Sequence, residues 1–437
     1  MREMKNSGAE WVDDLPPDWE ALRLKYLFVT GRNGLRIGPF GSALSGKTLE
    51  SGPYKIFNQA HLIQNNFALN RHFVSEETFS ELKNYEVLPG DILFSMMGTI
   101  GKCRIMPFGY PQGIMDSHLL KARLNNKVLP EFFAYAYDKD ASDLIMNQLL
   151  YLSNGTIMDG LNSSILKSVI MAIPPLDVQQ MIINYLNGKC AKIDEAISRH
   201  QTIIEKLGEY KRATIVASVS GGLSSEDEND SDIKWMPKVP TSWNVFPLWV
   251  LFKERKNKNS NGAETNLLSL SYGKIKRKDI KTNEGLLPEN FNGYNIIEDG
   301  DIVLRLTDLQ NDMRSLRTGL VTEHGIITSA YITLKPVSKL NSAYYHYLLH
   351  AYDIMKVFYS MGEGVRQNLN YNELCKMLLP NPPIPEQDEI VEYLDDKCSK
   401  VDEAISRQKD AVAKLEEYRK SIIYNAVTGK IDCRIGE

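Results

Sequence analysis

Apolar residues recur at alternating steps of four and three along two separate stretches of the chain. In the first, Leu186, Cys190, Ile193, Ile197, His200, Ile204, Leu207, Lys211 and Thr214 fall on one stripe. In the second, Leu394, Cys398, Val401, Ile405, Gln408, Val412, Leu415, Arg419 and Ile422 do the same. A stripe of this period lies on one helical face, and its persistence over several heptads predicts long helices that pair as a coiled coil. A Pro-Pro pair opens each stretch, where a missing N–H costs little, and Gly221 or Gly429 stands at the far end. About 40 residues rising 1.5 Å each make a helix roughly 60 Å long.

The two stretches are one sequence written twice. Tyr185 and Tyr393, Cys190 and Cys398, Ile197 and Ile405, and Tyr210 and Tyr418 share one ungapped offset of 208 (398 − 190). A single repeat of that size means two half-molecules rather than a stacked array. A lead segment repeats as well: Trp11, Pro16 and Trp19 answer to Trp235, Pro240 and Trp243 at an offset of 224 (235 − 11). Each half therefore reads as Trp-Pro-Trp, variable domain, long helix, with the first variable domain longer by 16 residues (224 − 208).

Inside the first variable domain, the turn-rich GPFGSAL at 38–44 is followed by short β-like runs near Tyr54, at 88–106 and at 117–124, then by a helical pattern from Leu129. Short strands and helices without βαβ alternation predict an α+β fold. The second domain keeps local echoes: DGDIVL at 299–304 matches PGDILF at 89–94, and Leu369-Asn370 matches Leu161-Asn162. The polar, acidic GGLSSEDENDSD at 221–232 reads as a linker. The expected division is 1–173 (lead segment and first variable domain), 174–221 (first long helix), 222–234 (linker), 235–381 (second variable domain) and 382–437 (second long helix and tail). Matched halves commonly relate by a pseudo-twofold axis, which makes the helices antiparallel and sets one variable domain at each end. Such a spacing of tens of ångströms suits two half-sites on a duplex of roughly 34 Å per turn.

Composition narrows the class. With 437 residues, 43% hydrophobic and 24% charged, the chain reads as an ordinary soluble protein with room for two or three domains. No apolar run reaches the roughly 20 residues of a membrane span. MREMKNSGAEW lacks the apolar centre of a signal peptide, so the cytoplasm is expected. Five cysteines without CxxC or Cys/His spacing indicate neither a zinc site nor a disulfide framework. A net charge of −4 argues against a uniformly basic coat and leaves room for local basic surfaces.

The duplicated helix, its PPxxxQ start (Pro174 and Gln179; Pro382 and Gln387), the KIDEAI and KVDEAI cores, GPFGSAL, GDILFSMMGTIGK and the final NAVTGKI together resemble the specificity subunit of type I restriction-modification enzymes, over essentially the whole chain. The resemblance implies two α+β target-recognition domains joined by two antiparallel coiled-coil helices, each domain reading one half of an asymmetric bipartite site on double-stranded DNA. It implies a non-catalytic chain that docks two methyltransferase (modification) subunits and, through that core, restriction/translocase subunits. S-adenosylmethionine, and ATP with Mg, are then expected on the partners, and no cofactor on this chain. His200 and Gln408 depart from an apolar seam, and buried polar residues of that kind can set helix register.

The rival readings have less behind them. A methyltransferase loop needs an aromatic after its Pro-Pro to stack a flipped base, and Asn381-Pro382-Pro383-Ile384 lacks one. No GxxxxGK(S/T) phosphate loop occurs. Asp91 and Asp301 stand in Gly-Asp turns, which reads as turn chemistry rather than metal binding. A purely structural coiled-coil adaptor explains the helices but not the basic, amide-rich loops. The candidate DNA contacts are Arg32, Arg36, Ser42 and Lys47 around the Gly-rich turn; Asn58, Gln59 and His61; Lys253, Arg255, Lys256, Tyr272, Lys274, Lys276 and Arg277; and Arg305, Gln310, Asn311 and Arg314. Cations of this kind hold phosphates, while amides, imidazole and guanidinium can address base edges.

Overall fold

Both Pro-Pro pairs open long helices, Leu176–Gly221 of 46 residues and Ile384–Val427 of 44 residues. They appear in a computed structural model that describes residues 3–31, 34–98, 100–139, 141, 144–153, 161–223, 227–279, 290–309, 316–361 and 368–434. Every position of both stripes is buried or partly buried, whereas Asp194, Glu195, Lys206, Asp402, Glu403 and Glu416 between them are exposed. The left-handed glycine closing the second helix is Gly429 (φ 74°), as expected. For the first helix it is Gly222 (φ 70°), one place beyond Gly221, which is still helical. Only glycine adopts that conformation without a steric cost.

The chain forms two compact units, Met1–His200 with Asp410–Glu437, and Gln201–Lys409. Each unit takes in part of each long helix, and that part belongs to its core. In the first unit, Ile422, Ile423, Ala426 and Val427 near the end of the second helix share a core with Ile182, Ile183 and Leu186 near the start of the first. In the second, Ile215 and Val219 share a core with Ile390, Leu394 and Cys398. Late residues against early ones, in both units, make an antiparallel pair. The ion pairs carry the duplication further. Arg419 lies 3.7 Å from Asp194, and Lys211 lies 2.7 Å from Asp402. Asp402 is the repeat mate of Asp194 (402 − 194 = 208) and Arg419 that of Lys211 (419 − 211 = 208). The same pairing of mates therefore occurs once within each unit.

Both variable domains are α+β. The first holds an antiparallel sheet in the order Leu35–Ile37, Leu119–Ala122, Ile92–Ser95, Cys103–Ile105. A second sheet beside it contains one parallel pair, Tyr54–Phe57 with Gly113–Met115. The second domain repeats the antiparallel sheet as Phe252–Glu254, Ile332–Pro336, Ile302–Leu304, Thr318–Leu320. The helix Pro130–Tyr137 buries Phe132, Phe133 and Tyr137 in one core; Ser342–Ile354 buries Tyr344, Tyr345 and Leu348 in the other.

One expectation is corrected. Part of the acidic stretch read as a linker is a strand, Glu228–Ile233, paired with Met236–Pro240. Glu228, Asn229 and Asp230 stay exposed, while Ser231 and Ile233 are buried with Met236 and Val239. A strand needs only one apolar face once a neighbour takes its backbone hydrogen bonds, and composition alone does not reveal the neighbour.

The repeated PPxxxQ glutamines join helix to domain. Gln179 accepts from the Leu129 N–H (2.8 Å) and donates to the carbonyls of Lys127 and Pro174 (both 2.9 Å). Gln387 accepts from the Asn341 N–H (2.8 Å) and donates to the Pro382 carbonyl (2.9 Å). Both side chains are buried with these bonds filled. The lead segments do related work: in the first unit Asp13 pairs with Lys430 at 2.8 Å, and a Cβ on Gly429 would come within 2.7 Å of Pro16.

Candidate nucleic-acid interface

Strand order assembles one edge of the first domain. Because 35–37 and 92–95 both run antiparallel to 119–122, their C-terminal ends meet the loop at 116–118. The Gly38 N–H donates to the Leu119 carbonyl (2.9 Å) and the Met96 N–H to that of His118 (3.1 Å). Gln59 then donates to Ser95 Oγ (3.0 Å) and to the Met97 carbonyl (2.8 Å). Gly38 is required here, since a Cβ would fall 1.7 Å from the Asp116 carbonyl oxygen. The edge presents Ser42, His118 and a Phe40 that is 87% exposed, beside a partly buried Asp116. Burial pushes the Asp116 carboxyl up, against the His118 N–H that donates to it at 2.9 Å. Donors, acceptors and apolar groups side by side are what base edges in a groove require.

Several candidates have partners within the fold. Asn58 caps the helix Gln59–Ile63 and accepts from the Ala60 N–H at 3.1 Å. His61 is buried, accepting at Nδ1 from the Asn58 N–H (3.1 Å) and donating from Nε2 to the Leu69 carbonyl (3.1 Å); burial lowers its pKa and favours the neutral ring. Lys47 pairs with Glu81 at 2.5 Å, and Arg36 lies over the Tyr85 ring at 5.5 Å. Arg255 is held by Asp301, Nη2 to Oδ1 at 3.0 Å. The two Gly-Asp turns explain that pair: Asp91 accepts from the Leu88 N–H and Asp301 from that of Glu298, both at 2.9 Å. Each buried carboxylate then needs a guanidinium, from Arg123 (Nε–Oδ1, 2.8 Å) in one domain and Arg255 in the other. Arg32, Gln310, Asn311 and Arg314 lie outside the described residues.

In the second domain the corresponding edge carries Arg305, just past Ile302–Leu304, and the loop at 328–331. The Leu369 N–H donates to the Leu306 carbonyl (3.0 Å) as Leu161 does to Met96 (2.8 Å) in the first. Lys253 and Lys256 are exposed, Lys256 beside Glu254 at 2.8 Å. A hairpin, Leu268–Ser271 with Lys274–Arg277, turns at Tyr272 and Gly273 with φ of 48° and 74°, both positive as in a type I′ turn. Tyr272 is 87% exposed, Lys274 and Lys276 are exposed, and Arg277 meets Glu323 at 2.6 Å. Tyr272 and Lys274 also line a cleft of about 570 Å³ whose far wall includes Lys211, Asp395 and Asp402 of the long helices. A matching cleft of about 530 Å³ in the first unit is lined by Asn65, Arg104, Tyr135, Asn187 and Arg419. Within them Tyr135 donates to Asn187 and Tyr347 to Asp395, both at 2.7 Å, and the acceptors are repeat mates (395 − 187 = 208). Burial raises the Tyr135 hydroxyl to about 12.

Two edges of this kind in one chain agree with the family comparison. The model of the type I restriction modification DNA specificity domain matches residues 17–207 and again 250–414. The chain belongs to this family. Among curated relatives, the putative type I restriction enzyme MjaX specificity subunit of Methanocaldococcus jannaschii is 23% identical over 434 residues, spanning 96% of this chain and 95% of that one. The type I restriction enzyme EcoBI specificity subunit of Escherichia coli is 24% identical over 381 residues, spanning 80% and 75%. A chain solved in work on complex assembly and conformational transition of the type I R-M system superposes with a TM-score of 0.69 at 15% identity, covering 95% of this chain and 99% of its own. The HsdS subunit from Thermoanaerobacter tengcongensis gives 0.50 at 16%, covering 95% and 98%. These two likenesses speak to the fold. Membership of the specificity family makes this chain the DNA-specificity component of a restriction-modification complex, with two recognition domains, while catalysis belongs to other subunits.

Among the described residues no group of three or more His, Cys, Asp and Glu is placed to hold a metal ion, and no helix is long and apolar enough to cross a membrane. Arg123 and Arg317 are the residues that sequence reading passed over. The only signal for either was position: Arg317 closes the basic stretch that begins at Arg305.

Proposed function

We propose that this specificity chain reads an asymmetric bipartite site on double-stranded DNA, one half with each unit, and carries two modification subunits to which restriction/translocase subunits add. What supports this reading most is a contrast inside the molecule. The helix frame is duplicated down to exchanged ion pairs, whereas the loop-bearing edges diverge, with Asp116 and His118 on one where Thr328 and Ala330 stand on the other. Ser42 and Gln59, flanked by Arg36 and Lys47, are the first unit's contacts; Arg305 with Lys253, Lys256, Tyr272, Lys274, Lys276 and Arg277 are the second's. The paired clefts beside Asn187 and Asp395 offer one partner two equivalent seats. S-adenosylmethionine then sits on the modification subunits, ATP and Mg on the restriction subunits, and the complex works in the cytoplasm.

Exchanging residues 20–173 for those of a relative tests the scheme, with methylated adenines mapped across the host genome. One half of the target changes and the other stays. A change in both halves, or in neither, overturns the modular reading. In the same complex, Lys274→Ala and Lys276→Ala each lower the salt slope of DNA binding by about one.

A further inference from the structure

Between the strands Ile302–Leu304 and Thr318–Leu320 the described cations are Arg305 and Arg317, and of these Arg317 is enclosed by the fold, with 0% of its surface exposed. A guanidinium out of water is costly unless its donors are filled. Here Nη1 donates to the carbonyls of Arg305 (3.0 Å) and Thr307 (2.9 Å), Nη2 to that of Asp308 (3.4 Å), and Nε to the Tyr359 hydroxyl (3.1 Å). The Tyr359 ring lies 5.5 Å from the guanidinium, and Asp353 Oδ2 accepts from the Arg317 backbone N–H at 3.0 Å. Three of these acceptors belong to one irregular loop. Beyond the strand bond from the Arg305 N–H to the Arg317 carbonyl, Asp308 takes a φ of 56°, and its N–H donates to Asn368 Oδ1 at 2.8 Å.

The first domain solves the same problem differently. There the position of Arg317 is taken by Lys102, as the strand bonds Ser95 N–H to Lys102 carbonyl (3.1 Å) and Arg305 N–H to Arg317 carbonyl (2.8 Å) establish. Lys102 is partly exposed, and the loop is held by Gln59 instead.

We propose that Arg317 is a positioning residue, which sets the loop used by the second unit on DNA through its hold on the carbonyls of Arg305, Thr307 and Asp308. Fixing those carbonyls fixes where the side chains of the same residues begin, and base discrimination depends on donor placement to within about 0.5 Å. The inference rests on the reading that this edge faces DNA.

The test uses the full chain assembled with its modification subunits. Methylation is measured on the genomic target and on duplexes with single base changes in either half, alongside thermal melting and salt-titrated binding to unrelated DNA. Lysine keeps the charge, but its single nitrogen cannot span three carbonyls. R317K therefore lowers discrimination in the second half-site by roughly tenfold or more, leaving the first half and the salt slope unchanged. Y359F, which removes one acceptor, gives a smaller loss in the same half and carries the test if R317K does not fold. Wild-type discrimination in the folded variants, or equal loss in both halves, overturns the positioning role. R305A separates the two ideas. If it lowers second-half discrimination while R317K and Y359F do not, only the positioning role fails; if it too changes nothing, the reading of this edge as DNA-facing fails.

Discussion

The two units solve identical problems, sometimes with the same residue and sometimes with a different one. Gln179 and Gln387 stand at matching positions and make matching bonds between a long helix and the segment that starts a domain helix. The buried aspartates of the Gly-Asp turns also match, yet their guanidinium partners arrive from different strands, Arg123 after Leu119–Ala122 and Arg255 after Phe252–Glu254. At the loop edges even the type of residue changes, from Gln59 to Arg317. The repeat is tight where helix, domain and mate must fit together, and loose where a buried carboxylate or a loop needs only some partner of suitable chemistry.

That contrast can be broken most forcefully at the seam. Leu186 and Leu394 are mates, both fully buried, and truncation of either to alanine should cost about 2–5 kcal/mol. Equal losses by denaturant unfolding are expected; a large inequality would show that the frame is matched in sequence but not in energy. Ile197 and Ile405 are only partly buried, so aspartate there can lean toward water and makes a gentler test of pairing.

The glutamines come next. Gln179→Leu leaves a backbone N–H and two carbonyls without their partner, and Gln387→Leu a backbone N–H and one carbonyl, at about 1–3 kcal/mol. Hydrogen exchange at the Leu129 and Asn341 amides should quicken in the respective variant and nowhere in the other unit. Exchange that quickens in both units would blur the comparison.

Exchanged ion pairs should contribute less. Lys211–Asp402 and Asp194–Arg419 are substantially exposed, so a double-mutant cycle on either should give about 0.2–1 kcal/mol, declining with salt. Lys211→Asp with Asp402→Lys should restore assembly that either change alone weakens.

The smallest effect is confined to the second unit. His324 donates between Glu298 and Glu264, both at 2.8 Å. The Glu298 hydrogen bond, with help from both carboxylates, raises the imidazole above its usual 6.5. A raised folded value means that its contribution is fully present below 6.5 and fades as pH climbs through the raised value. Melting curves of His324→Gln and the unaltered protein should converge toward high pH. Curves that stay parallel would remove the imidazolium from the account.

Much of this was legible in the chain. The stripes, the offset of 208 and the Pro-Pro starts announced two paired helices, and the Gly-Asp turns were readable as turns because their chemistry is local. The strand at Glu228–Ile233 was not, because an acidic stretch reveals neither its partner strand nor its single buried face. The candidate contacts were least legible. Asn58 and His61 look like base readers in sequence and hold a helix start in space.

What the sequence determined by itself is the duplicated helical frame, because a heptad stripe and a helix start are set by neighbours within a few residues. Which cations meet solvent was decided only by tertiary structure. Arg255 is claimed by a carboxylate 46 residues away, and Arg317 by carbonyls, a hydroxyl and an aspartate spread from Arg305 to Tyr359. A buried charge must find its partners wherever the fold brings them, and no local pattern encodes that meeting.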